Sequence, residues 1–203
     1  MALKAISTAA LPLRQWPAPG AWTYEDYLDL PDDGYRYEVI WGELYLTPAP
    51  GTGHQLTSGE LEFALREFVK RRDLGIVLDA LCDVLLEPGG TPVEPDILFI
   101  AKERRHIITP KNVSGPPDLI IEILSPSNPE HDRDRKFRLH RESNVPEYWL
   151  VDPQARTVEL FGLRGSQYEL LGHFGAGETV AGSEVLPGFS VAVDDLIVRE
   201  VQG

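Results

Sequence analysis

Asp118-Leu119-Ile120-Ile121-Glu122-Ile123-Leu124 is the most strongly β-patterned stretch of the chain. It is almost continuously apolar, as a strand covered on both faces must be, and so it predicts a central strand of an α/β sheet. Side chains alternate across a strand, which sets Ile120, Glu122 and Leu124 on one face and Leu119, Ile121 and Ile123 on the other. Glu122 is therefore expected amid hydrocarbon. An ionised carboxylate is costly there unless a cation or hydrogen-bond donors compensate it.

Working outward, Ser125-Pro126-Ser127 ends this strand, a helix carrying Phe137 and Leu139 is predicted from about Glu130 to Glu142, and Glu147 to Val151 reads as the next strand. Strand, helix, strand predicts a crossover unit. Beyond Asp152-Pro153, the segments around Val158–Phe161, Tyr168–Leu171 and Phe189–Val193 read as short strands between glycine-rich turns. Upstream, strands are predicted at Gly75–Asp79, Asp83–Glu87 and Asp96–Ile100, with a turn at Gly89-Gly90 and a polar connection over Lys102–His106. From about His54 to Arg72, Leu61, Ala64, Leu65, Phe68 and Val69 recur at helical spacing, and Lys70-Arg71-Arg72 suit the negative end of that helix. Tyr35–Ile40 and Leu44–Leu46 form a hairpin pattern around Trp41-Gly42-Glu43. Thr23 followed by Asp26 resembles a capping box opening a short helix through Leu28. There is no internal repeat.

The chain has 203 residues, 42% hydrophobic and 25% charged, the balance of a soluble globular protein with one substantial core. Residues 22–203 are expected to form a single domain, with 1–21 a flexible, loosely ordered arm. Ser7, Thr8 and Pro12 interrupt the apolar positions of that arm, so it lacks the continuous stretch of a secretory signal or membrane span. Cys82 is the only cysteine, which excludes an intramolecular disulfide and a cysteine-based zinc site and fits a reducing cytoplasm. The formal net charge of −13 argues against coating by nucleic acid, since phosphate binding depends on clustered Lys and Arg.

Asp96, which follows Pro95 and starts its own strand, is the natural second acid beside Glu122. Two such carboxylates make a divalent metal the economical way to hold charge in an apolar setting, and hard oxygen ligands select Mg²⁺ or Mn²⁺. Such an ion can promote phosphodiester hydrolysis, with a nearby lysine ammonium orienting the water or stabilising the charge that develops. Plainer readings stand beside these. Glu122 can be satisfied by a backbone amide or an arginine, and Asp96 can serve a turn. Glu38 can pair with Arg36 on its strand, and Lys136 with Asp132 one helical turn earlier. His54 and Gln55 open the long helix, where donors can meet an anion or simply cap.

Pro95-Asp96-Ile97-Leu98-Phe99-Ile100, Pro117–Ser127, Lys136 and Val145-Pro146-Glu147-Tyr148-Trp149-Leu150-Val151-Asp152-Pro153 together resemble the Uma-two family of putative restriction endonucleases, in the PD-(D/E)xK nuclease superfamily. The resemblance runs from roughly Trp22 to Leu196 and takes in Tyr37–Ile40, Gly42–Leu44 and Leu186–Phe189. It implies a restriction-endonuclease-like α/β fold, a mixed β-sheet flanked by helices, followed here by additional short C-terminal strands. It also implies Asp96 and Glu122 as ligands of Mg²⁺ or Mn²⁺, with Glu38 as an additional acid. The superfamily's lysine, two residues after the second acid, is replaced by Leu124; the resemblance implies that Lys136 on the next helix takes its place. His140 stands where relatives often carry Tyr, and a satisfied surface histidine is the expectation for it.

The function implied is a metal-dependent endonuclease acting on DNA, with a homodimer as one possible assembly. Local basic surface would have to come from Lys70-Arg71-Arg72, Arg104-Arg105, and Arg133, Arg135, Arg138 and Arg141, each of which has a plainer role on a solvated helix face. Two alternatives stay open: a catalytically silent nuclease-fold binding or assembly module, and a phosphoesterase acting on RNA or a small substrate.

Overall fold

A computed structural model of the chain describes residues 4–5, 16–31, 33, 35–47, 50–87, 90, 92–125 and 129–197, with backbone alone at 4–5, 36, 47 and 129–132. The decisive stretch forms β9 (Leu119–Ile123), buried at every position. It lies inside a six-stranded mixed sheet with β4 (Gly75–Asp79), β7 (Ile97–Ala101), β10 (Glu147–Asp152), β11 (Thr157–Arg164) and β12 (Gln167–Phe174), in the order β12-β11-β10-β9-β7-β4. The β9–β10 pair is parallel and the other pairs are antiparallel. A parallel neighbour requires a crossover, and α3 (Pro129–Glu142) supplies it, as the strand-helix-strand pattern predicted.

Strand alternation separates two cores as expected. Leu119, Ile121 and Ile123 join Ile97, Phe99, Trp149 and Val151 under α2 (Thr52–Arg72), which contributes Leu61, Leu65 and Val69 at four-residue spacing. The C-terminal segment closes this layer with Val180, Leu186 and Phe189. On the opposite face, Ile120 joins Leu98, Ile100, Tyr148 and Leu150 beneath Leu139 and Phe137 of α3. Glu122 shares the parity of Ile120 and so faces α3.

Next to this second face stands the hairpin of β2 (Arg36–Ile40) and β3 (Glu43–Thr47). Its two-residue turn has Trp41 at φ 50° and Gly42 at φ 74°, the left-handed pair that matches the twist of a tight hairpin. A side chain at Gly42 would also strike the Gly20 carbonyl. Residues 37 and 39 pack on Trp22 and Leu44, so Glu38 and Ile40 point the other way, toward the main sheet. The expected capping box is present: Thr23 accepts from the Asp26 amide and the Asp26 carboxylate accepts from the Thr23 amide, opening α1 (Tyr24–Leu28).

Several expectations require correction. The segments around Val158 and Tyr168 are not separate short strands: they are the eight-residue strands β11 and β12 of the main sheet. Phe189–Val193 yields only the two-residue β14 (Val191–Ala192), paired with β13 (Thr179–Val180), before the chain turns into α4 (Val193–Leu196). Asp83–Glu87 contracts to β5 (Val84–Leu85), which pairs with β6 (Pro92–Val93) and β8 (Val113–Ser114) in a small second sheet. The polar connection expected over Lys102–His106 is present and takes the form of a 3₁₀ turn, Lys102–Ile107. Most of the expected arm lies outside the described residues; of the rest, Lys4–Ala5 forms β1 against β3, and Trp16 stacks on Trp22. The Gly89 end of the Gly89-Gly90 turn lies outside the described residues.

Candidate active site

Glu38 from β2, Asp96 just ahead of β7, Glu122 from β9 and Lys136 from α3 converge on one buried locus. The register of β7 against β9 pairs Ile97 with Ile121, and continued by one residue it sets Asp96 opposite Glu122. Asp96 is tied in place by its side chain, whose Oδ2 accepts from the Ile123 amide at 2.9 Å, and by its carbonyl, which accepts from the Ala80 amide at 2.9 Å. Lys136 Nζ stands 2.9 Å from Glu122 Oε2 and 3.4 Å from Glu38 Oε1. Glu38 Oε1 also accepts from the Glu94 amide at 3.2 Å, while its Oε2 is buried with no hydrogen-bond partner among the described residues.

All three acids are at most 5% exposed, so their charges meet little screening. Burial opposes the charged form of Lys136, but the carboxylates of Glu122, Glu38 and Asp96 outweigh it and hold the ammonium's pKa above the ordinary lysine value. The plainer pairings of Lys136 with Asp132 and of Glu38 with Arg36 involve side chains that lie outside the described residues.

The model of the Uma2 family, described as "Putative restriction endonuclease", matches residues 24–194. The chain belongs to the Uma2 family. All four convergent residues fall within the matched span. Among solved structures, a putative nuclease belonging to DUF820 from Anabaena variabilis ATCC 29413 is similar at 20% identity and TM-score 0.70, covering 87% of this chain and 97% of its own. At that identity the likeness establishes the shared fold. No curated protein matches the chain. Among the described residues no helix is long and apolar enough to cross a membrane.

Two histidines extend the Uma2 site. His54, in the first turn of α2, has Nε2 3.2 Å from Asp96 Oδ2, which gives the donor expected at that helix start a definite acidic partner. His140, expected at the surface, is instead fully buried, with Nε2 3.3 Å from Glu122 Oε1. It lies one helical turn after Lys136, and that four-residue spacing was the sequence signal for its sharing a face with the lysine. Tyr148 on β10 completes the wall beside His140, and burial together with the Glu122 charge pushes its phenol pKa well up.

The donor set suits a hard divalent cation, although among the described residues no three His, Cys, Asp or Glu side chains stand ready as a cage for one. Mg²⁺ commonly uses only one or two carboxylates plus waters and substrate phosphate, and three carboxyl groups face a single ammonium here. The unpartnered Glu38 Oε2 is the clearest sign of spare acceptor capacity. Asp96, Glu122 and Glu38 are thus the residues that could hold Mg²⁺ or Mn²⁺.

The arginines from which a basic track was expected are mostly paired. Arg133 bonds Glu159, Arg138 bonds Glu142, Arg104 bonds Asp118 and Arg71 bonds Glu67. Arg135 stacks over Tyr45 with its guanidinium carbon 4.2 Å from the ring centre.

Proposed function

We propose that this Uma2 chain is a metal-dependent endonuclease of the PD-(D/E)xK type that hydrolyses phosphodiester bonds of DNA. The observation that carries this reading is the Lys136 ammonium held between Glu122 and Glu38 beside Asp96, four residues brought by four separate elements into one buried locus. Family membership supports the reaction class.

Asp96, Glu122 and Glu38 would hold Mg²⁺ or Mn²⁺, and a bound ion would supply Lewis-acid polarisation of the phosphate and acidification of water. Lys136, which its three acidic neighbours favour as an ammonium in the metal-free site, is placed to donate hydrogen bonds, orienting the attacking water or meeting charge on phosphate oxygens. Glu38 Oε2 is an acceptor toward which that water can direct an O–H. The Ile123 amide keeps Asp96 in one rotamer, so its carboxylate needs little reorganisation during reaction.

A second reading, a phosphoesterase acting on RNA or a small substrate, is favoured by the paired arginines and the −13 charge, which offer long duplex DNA few free cations. Cleavage of plasmid, single-stranded DNA and RNA with Mg²⁺ or Mn²⁺ tests both. We expect activity that Asp96→Asn, Glu122→Gln and Lys136→Met each reduce at least about a hundredfold. Activity that survives all three substitutions would place the chemistry elsewhere, and cleavage of RNA alone would select the second reading.

A further inference from the structure

We propose that His140 is a positioning residue for Glu122, donating from Nε2–H to one carboxylate oxygen so that the other stays correctly aimed when Lys136 turns to water or phosphate. This inference rests on the metal-site reading above and adds to it a residue in that site.

Its basis is a two-point clamp. Lys136 and His140 stand one turn apart on the same face of α3, and each takes a different oxygen of Glu122: Lys136 Nζ lies 2.9 Å from Oε2, and His140 Nε2 lies 3.3 Å from Oε1. If Lys136 alone held Glu122, releasing the lysine for chemistry would release the carboxylate as well. The imidazole is the second hold.

The tautomer follows from the contact. A ring nitrogen facing a carboxylate oxygen is attracted only if it carries the proton, which assigns N–H to Nε2. Nδ1 is buried with no hydrogen-bond partner among the described residues, and the ring packs against Tyr148 with centroids 5.3 Å apart. Glu122 is thus the polar group toward which the ring is aimed. A phenylalanine would fill the same space without burying a ring nitrogen that lacks a partner, so packing alone does not account for an imidazole here. Carboxylates oriented by a neighbouring donor are the usual outer support of metal sites, and loss of such a donor weakens metal binding about 10–100-fold.

The test is Mn²⁺ binding by calorimetry on the parent chain, His140→Phe and His140→Gln, alongside the ¹⁵N NMR tautomer of His140 in the metal-free parent. We expect His140→Phe to fold, with circular dichroism matching the parent's, yet to bind Mn²⁺ about 10–100-fold more weakly. His140→Gln, whose amide nitrogen falls near the position of Nε2, should recover most of that loss, and the parent should show the Nε2–H tautomer. In the cleavage assay His140→Phe should lower kcat with KM little changed. Mn²⁺ affinity in His140→Phe within about twofold of the parent would overturn the proposal while leaving the metal site intact. An Nδ1–H tautomer would overturn it irrespective of whether the variants fold. A parent chain that binds no Mn²⁺ would overturn the metal-site reading itself, with the Nε2–H signal still reporting the clamp.

Discussion

Lys136 is where burial and charge compete most directly. Burial disfavours an ammonium, three carboxyl groups favour it, and the raised pKa shows that the carboxyl groups win. Removing the ammonium leaves Glu122 and Glu38 facing each other with nothing between them, and breaking a buried pair in this way costs about 3–5 kcal/mol. Lys136→Met should therefore lower the melting temperature in chelator by on the order of 10 °C. If the locus binds a divalent cation, Mn²⁺ should raise the melting temperature of Lys136→Met more than that of the parent, because the ion then replaces the missing positive charge. Equal shifts in both proteins would show that the ion binds away from Lys136. The residue scale also marks the limit of sequence reading. Glu122 and its face followed from strand alternation, and Lys136 from family resemblance. His140 was misplaced at the surface because the polar composition of α3, seven of whose fourteen residues are Lys, Arg or His, hides which stripe docks on the sheet.

At the scale of elements, the junction of β10 with the C-terminal segment depends on one carboxylate. Buried Glu147 accepts from Trp149 Nε1 at 2.6 Å, Ser183 Oγ at 2.7 Å, the Glu184 amide at 2.8 Å and the Val185 amide at 3.1 Å. These bonds seat the segment that brings Leu186 and Phe189 onto Trp149. Glu147→Ala strands four donors, several of them buried, at about 1–3 kcal/mol for each one left unsatisfied, so a total loss of at least about 3 kcal/mol is expected in denaturant titration. Limited proteolysis should then cut within residues 183–186. Glu147→Gln should cost less, since one oxygen still accepts while its amide nitrogen faces donors. An unchanged unfolding midpoint in Glu147→Ala would remove Glu147 from this role. The link to the C-terminal segment was not legible from sequence, because its three donors lie 36–38 residues away and no local period reports such a pairing. What was legible was local: the four-residue apolar rhythm of α2, the alternation of β9, and the β9-α3-β10 crossover. The membership of β11 and β12 in the main sheet and the position of Asp96 opposite Glu122 depend on strand order, which is a long-range property.

For the whole molecule, charge decides how it meets both nucleic acid and alkali. With −13 overall and its arginines largely engaged by acids, the chain can displace few counterions, so nucleic-acid affinity should fall only gently with salt, by a slope of no more than about 2 in a log–log plot; a slope several-fold steeper would reveal a free basic track. Alkali acts through protons held more tightly in the folded state. Burial first, with nearby carboxylates second, raises the phenol pKa values of Tyr27 and Tyr148; burial raises that of Tyr168, and the acids around Lys136 raise its ammonium. Each of these groups has a folded pKa above its unfolded one, so its contribution is complete below the unfolded value, about 10, and is lost as pH climbs toward the folded value. In that window the unfolded chain binds fewer protons than the folded one, and each group steepens the decline by up to about 1.4 kcal/mol per pH unit. Unfolding should therefore be sharply cooperative above about pH 10, with phenolate absorbance from these tyrosines appearing together with loss of circular dichroism. Tyr148→Phe isolates one of the groups, since the Tyr148 hydroxyl is buried with no hydrogen-bond partner among the described residues. That variant should be more stable at neutral pH by about 1 kcal/mol, through removal of an unsatisfied hydroxyl, and should show a shallower alkaline decline. A phenolate signal from Tyr148, read as the absorbance difference between the parent and Tyr148→Phe, that forms while the fold is still intact would contradict the assignment, because an ionised Tyr148 would then be tolerated beside Glu122 in the folded core.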